Sequence, residues 1–100
     1  MKVEFTNRAV HDLREISDYS RAIFGYRVTA ALEQRIHDVV AGIAHAPESA
    51  PRVEQLPGMR VVPLVRYPFK SFYRIVGDTV RIVHIRHAAR RPWNIKDEHA

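Results

Sequence analysis

The stretch that decides the fold is Tyr67-Pro68-Phe69-Lys70-Ser71-Phe72-Tyr73-Arg74-Ile75-Val76-Gly77-Asp78-Thr79-Val80-Arg81-Ile82-Val83-His84-Ile85-Arg86-His87. Two β-rich runs, Tyr67–Val76 and Thr79–His87, flank the two turn residues Gly77-Asp78, which is a hairpin signal. A two-residue turn fixes the pairing: 76 with 79, 75 with 80, and so on towards the open end. Side chains alternate between faces, so each cross-strand pair shares one face. One face then carries Ile75/Val80, Tyr73/Ile82, Ser71/His84 and Phe69/Arg86, mostly apolar near the turn and suited to covering by helices. The other carries Val76/Thr79, Arg74/Arg81, Phe72/Val83, Lys70/Ile85 and Pro68/His87. Here Arg74 opposes Arg81, and Lys70 and His87 extend a cationic track among apolar residues. Such a face suits an acidic partner segment or a nucleic-acid strand, or is an amphipathic face whose arginines splay into water.

Upstream, Arg60–Val65 is a third β-rich run. Pro63 lacks an N–H for a ladder and marks an edge or bulged position. Residues 47–58 hold Pro47, Pro51, Pro57 and Gly58 and read as a loop. Before them the apolar spacing is helical: Ala9, Leu13, Ile16, Ile23 and Phe24, then Val28, Leu32, Ile36, Val39 and Ile43. Gly25 separates the two segments and Pro47 stops the second, so they form a helical hairpin. Thr6 or Asn7 supplies the N-cap. Lys2–Thr6 alternates as a short strand with Val3 and Phe5 on one side. The expected architecture is α+β: an N-terminal strand, a helical hairpin and a three-stranded antiparallel meander, with the helices on one sheet face. Residues 1–100 form a single domain, since neither half buries a full core alone.

Charge and composition narrow the function. The chain of 100 residues is 46% hydrophobic with a net charge of +5. Residues 1–50 carry six cations and seven anions, whereas residues 51–100 carry ten cations and four anions. The excess therefore belongs to the second half, which indicates nucleic acid or an acidic protein as partner, or a solvated basic surface. The absence of cysteine removes disulfides, zinc ribbons and thiol catalysis. No apolar stretch is long enough to span a bilayer, and the N-terminus has no secretory apolar region, so a cytoplasmic location away from the membrane is expected.

His84 and His87 have HxxH spacing, but three residues along a strand place them on opposite faces, and the other histidines are scattered. No metal and no cofactor is expected. No phosphate-binding glycine loop or nucleophile elbow is present. The remaining chemistry lies in Arg86-His87-Ala88-Ala89-Arg90-Arg91-Pro92-Trp93. His87 exchanges protons near neutral pH or serves structurally. Arg90 and Arg91 suit bidentate contact with phosphate or carboxylate. Trp93 either stacks on a base or covers the sheet edge.

The opening Asn7-Arg8-Ala9-Val10-His11-Asp12-Leu13-Arg14-Glu15-Ile16, the strand Tyr67–Ile75 and the HxxR-containing ending His87–Trp93 together resemble the RelE/ParE superfamily of bacterial toxins. The resemblance covers nearly the whole chain. It implies the toxin of a type II toxin–antitoxin pair, neutralised by a cognate ParD-like or other small antitoxin. ParE-like members poison DNA gyrase, whereas RelE-like members cut mRNA on the ribosome. Lys70 stands where ribonuclease members carry an arginine, Pro63 falls where another basic residue is expected, and no tyrosine follows Tyr73. These departures favour the ParE-like branch, in which inhibition is binding rather than catalysis. Its partner-binding residues would be Arg60, Lys70, Arg74, Arg81, His87, Arg90, Arg91 and Trp93. The alternative is a metal-independent ribonuclease acting on ribosome-bound mRNA, with His87 as general acid and Lys70, Arg74 and Arg90 stabilising phosphorane charge. A non-toxic binding module or a degenerate remnant is the third possibility.

Overall fold

Thr6 marks where the chain stops being a strand and becomes a helix. Its backbone is extended (φ −66°, ψ 162°), and its Oγ1 accepts the Ala9 N–H at 3.1 Å, satisfying one of the free donors of the first turn. In the computed structural model, which describes residues 1–89, Lys2–Phe5 forms β1 and Asn7–His45 forms the helical segment α1. Gly25 breaks α1 into two arms, 7–24 and 26–45. Its φ of 84° and ψ of −177° are open to glycine and strained for any L-residue. A Cβ there would meet nothing within 4 Å, so conformation rather than space demands the glycine. The arms fold back on each other. Ser17 donates to Glu33 Oε2 at 3.0 Å, and the buried Thr29 hydroxyl lies 2.8 Å from that of Ser20. The helical hairpin read from the sequence is therefore present.

Three more strands follow: β2 (Met59–Pro63), β3 (Phe69–Val76) and β4 (Thr79–His87). They form the expected antiparallel meander. β1 joins it in parallel beside β4, giving one four-stranded sheet in the order β1-β4-β3-β2. Pro63 thus sits on an edge strand, where its missing N–H is tolerated. β2 and β3 are shorter at their facing ends than the sequence suggests. Leu64–Tyr67 makes a turn, with Tyr67 N–H donating to Leu64 O at 2.9 Å and Arg66 at φ 80°.

The helical hairpin covers one sheet face. Ala9 and Ile43 pack with Tyr73, Val80, Ile82 and Ile85, while Leu32 and Ile36 pack with Leu64. On the outer face, loop residues Val53 and Leu56 cover Met59, Val61, Phe72 and Val83. The loop is pinned along β2 by Val53 N–H to Met59 O (2.8 Å) and Val61 N–H to Pro51 O (3.1 Å).

The main departure from the sequence reading is in the hairpin register. The pairs 76/79, 75/80, 74/81 and 73/82 are as expected, but beyond them Phe72 pairs with His84, Ser71 with Ile85, Lys70 with Arg86 and Phe69 with His87. Val83 is one residue too many on β4, a β-bulge. Past it every side chain changes face relative to a continuous ladder. Ile85 enters the core, Arg86 moves to the outer face, and His87 moves from the outer face to the helix side.

Candidate functional site

The outer face of β3 and β4 is a ladder of three rungs: Arg74 opposite Arg81, Phe72 opposite His84, and Lys70 opposite Arg86. The Phe72 and His84 rings stack, with centroids 6.4 Å apart and planes inclined by 25°. Like charges directly opposite each other oppose strand pairing, and this hairpin carries two such rungs around an aromatic one. Glu4, beside Arg81 on β1, offsets one of them through a 3.4 Å contact with the guanidinium. Lys70 and Arg81 are exposed, whereas Arg74 and Arg86 are half-buried.

The bulge is held from the side. β1 ends at Phe5 opposite Ile82, where α1 departs, so among the described residues no strand borders β4 beyond that point on this side. Thr6 N–H donates to Ile82 O at 3.0 Å and the Thr6 hydroxyl donates to Val83 O at 2.8 Å. One oxygen of Asp12 then accepts the Ile85 N–H at 3.0 Å and lies 2.6 Å from His84 Nδ1. Both side chains are largely removed from solvent, His84 at 5% and Asp12 at 13% exposure. They line a cleft of about 660 Å³ with Glu15, Arg86 and His87.

The expected site residues are not all together. Arg60 lies opposite Tyr73, on the helix side of β2, and its guanidinium donates to Glu48 O (2.9 Å) and Ala50 O (2.7 Å). It fastens the loop. Tyr73 does the same through its hydroxyl, which donates to Pro47 O at 2.6 Å. Burial pushes the Tyr73 phenol above its ordinary pKa, with the nearby Arg60 charge pulling the other way. His87 lies edge-on to Phe69, with centroids 5.6 Å apart, and its Nδ1 accepts the Ala89 N–H. Lys70, Arg74 and Arg81 share the outer face as expected, and Arg86 joins them. Arg90, Arg91 and Trp93 lie outside the described residues. The sequence reading missed Arg86 and the Asp12–His84 pair. The available signal was the continuous register itself, which turned Ile85 outward and pointed Arg86 at the helices.

A second surface is apolar. At the bend of the helical hairpin Tyr19, Ile23, Phe24, Tyr26 and Val28 are exposed, Tyr26 by 79%. Beside them a groove of about 390 Å³ runs between Tyr19, Phe24, Val28 and Leu32 on α1, Tyr67 in the turn before β3 and Phe69 at its start. Among the described residues no three His, Asp or Glu side chains converge as a metal site, and no helix is long and apolar enough to cross a membrane.

A helical hairpin on one face of a small sheet, with cations on the other face, defines a class of compact α+β domains. Comparison with solved structures supports that class. The chain is similar to a protein of the chromosomal ParDE toxin–antitoxin system from P. aeruginosa, with 27% identity and a TM-score of 0.78 over 87% of this chain and 95% of that one. It shares its fold with the E. coli RelBE toxin–antitoxin complex (16% identity, TM-score 0.60, 90% and 98% covered). The same holds for a YoeB/ParE toxin from Agrobacterium tumefaciens (15% identity, TM-score 0.63, 87% and 98% covered). No curated protein matches the chain. The family model for the ParE toxin of the type II toxin–antitoxin system parDE matches residues 3–92. The chain belongs to this family of ParE toxins.

Proposed function

We propose that this ParE-type toxin arrests growth in the cytoplasm by binding DNA gyrase through the outer face of β3 and β4, and that a small cognate antitoxin neutralises it. The observation that carries the choice of target is the bulge. The ribonuclease alternative takes His87 as acid beside Lys70 and Arg74, yet His87 stands on the helix side of the sheet and the two cations on the outer side. The histidine that shares their face, His84, is buried and held by Asp12. The rungs Arg74/Arg81 and Lys70/Arg86 grip an anionic or acidic surface, and the Phe72/His84 stack between them adds a flat apolar contact. For the antitoxin, the apolar groove beside Tyr19, Phe24 and Phe69 suits the apolar side of an amphipathic segment.

The direct test is a supercoiling assay with purified protein. Gyrase inhibition at near-stoichiometric toxin is the expected result, and unaffected gyrase together with codon-linked mRNA cuts on induction would move the assignment to the ribosome. Growth arrest relieved by co-expressing a small adjacent antitoxin frame is expected in either case.

A further inference from the structure

We propose that Thr6, Asp12 and His84 form a register clamp: positioning residues that hold the last part of β4 one residue out of step with β3 and thereby put Arg86 on the partner-binding face. The functional half of this inference rests on the outer face being the partner surface. The register half does not.

Three observations converge. First, β4 runs on past Ile82 after β1 has ended, and among the described residues no strand takes up the backbone groups on that side. Second, the groups that satisfy them are side chains from the start of α1, and they act on three consecutive residues: Thr6 on Val83 O, and Asp12 on His84 Nδ1 and Ile85 N–H. Third, the extra residue, Val83, falls at the same place. A backbone that gains one residue there has an alternative, the continuous ladder in which Phe72 faces Val83 and Lys70 faces Ile85. The clamp makes that ladder unreachable, because sliding β4 back by one residue pulls Ile85 N–H and the His84 ring off the Asp12 carboxylate together. The charged groups around the clamp are few. Glu15 and Asp18 on α1 and Arg86 and His87 on β4 line the same cleft, Asp18 is paired with Arg21, and the Asp12 carboxylate accepts from the Ile85 N–H beside the bulge.

The consequence for the surface is specific. With the clamp set, the outer rungs read Arg74/Arg81, Phe72/His84, Lys70/Arg86. With it released into the continuous ladder they read Arg74/Arg81, Phe72/Val83, Lys70/Ile85: one cationic rung is lost and the aromatic stack with it.

The chain has no cysteine, so cross-strand disulfides introduced in pairs report register directly. Lys70→Cys with Arg86→Cys reports the bulged register, and Lys70→Cys with Ile85→Cys the continuous one. In the otherwise unchanged protein the first pair should cross-link on mild oxidation and the second should not. Adding Asp12→Ala should lower the first yield at least fivefold. Asp12→Asn, which keeps an acceptor for Ile85 N–H, should fall between the two. Amide exchange guards against simple unfolding: Ile85 N–H should exchange at least tenfold faster in Asp12→Ala while Val80 and Ile82 stay protected.

Growth arrest, measured on the single Asp12 variants without the cysteines, should weaken in the same order as the cross-link. An undiminished native cross-link in folded Asp12→Ala overturns the clamp, whatever the arrest shows. A lost cross-link with undiminished arrest keeps the clamp as a register device and overturns the outer face as the partner surface.

Discussion

The two halves of β4 are built differently. From Thr79 to Ile82 the strand has β1 on one side and β3 on the other, and its position is set by backbone ladders on both flanks. From Val83 to His87 its strand neighbour among the described residues is β3, and the side chains of Thr6 and Asp12 hold its other flank. Main-chain ladders give rigidity and a core, and Val80 and Ile82 are fully buried there. Side-chain anchoring gives something a ladder cannot: a choice of which residues face outward, made by residues far away in sequence.

The contrast can be broken from either end. Ile82→Ala attacks the doubly flanked half and should cost about 2–5 kcal/mol, the range for removing a large buried aliphatic group, measured by denaturant unfolding. Thr6→Val attacks the side-chain-anchored half, deleting both the helix cap and the bond to Val83 O. It should cost about 1–2 kcal/mol by the same measurement, with amides 83–85 losing protection before amides 80–82. An equal loss of protection across β4 would show that the two halves do not differ.

Tyr73→Phe sharpens the contrast through pH. Tyr73 pairs with Ile82 at the last rung before the bulge, and its hydroxyl bonds to Pro47 O. Removing that hydroxyl should cost about 1 kcal/mol at neutral pH. Because burial raises the phenol pKa above the ordinary 10.0, the folded state resists deprotonation. The Tyr73 contribution is therefore complete below pH 10 and is lost as pH rises from there through the higher folded value. Unfolding curves between pH 8 and 11.5 should show a steeper alkaline loss for the wild type than for Tyr73→Phe. The smallest effect belongs to Glu4→Gln, which removes an exposed contact with Arg81 and should change stability by less than about 1 kcal/mol. That difference should shrink further in salt.

Much of this fold is legible in the sequence because its determinants are local. Gly77-Asp78 sets four cross-strand pairs, Gly25 and Pro47 bound the helical arms, and Thr6 caps the first of them. The parallel pairing of β1 is not legible, since four residues of alternating pattern name no partner. The bulge is not legible from the hairpin either, because what holds it lies at residues 6 and 12. Its trace survives in the apolar pattern. Val80, Ile82 and Ile85 break the period of two, and Arg86 falls opposite Phe69 in any ladder that ignores the break. For the candidate site the consequence is large: the continuous register leaves Lys70, Arg74 and Arg81 on the outer face, where the structure has them, but puts His87 on the wrong face and turns Arg86 inward. Arg60 looked like a binding cation because nothing in the sequence shows that the loop carbonyls of Glu48 and Ala50 would come within its reach.

The hydroxyl of Thr6 bonds to a residue 77 positions further on, and β1 pairs with β4 over the same span. The order of assembly follows from that distance. The helical hairpin closes over short loops and forms early, whereas β1 has no partner until β4 has been made. Pulse-labelled hydrogen exchange during refolding should find the amides of α1 protected well before those of β1. The basic face therefore takes its final shape only when β1, the first strand, meets β4.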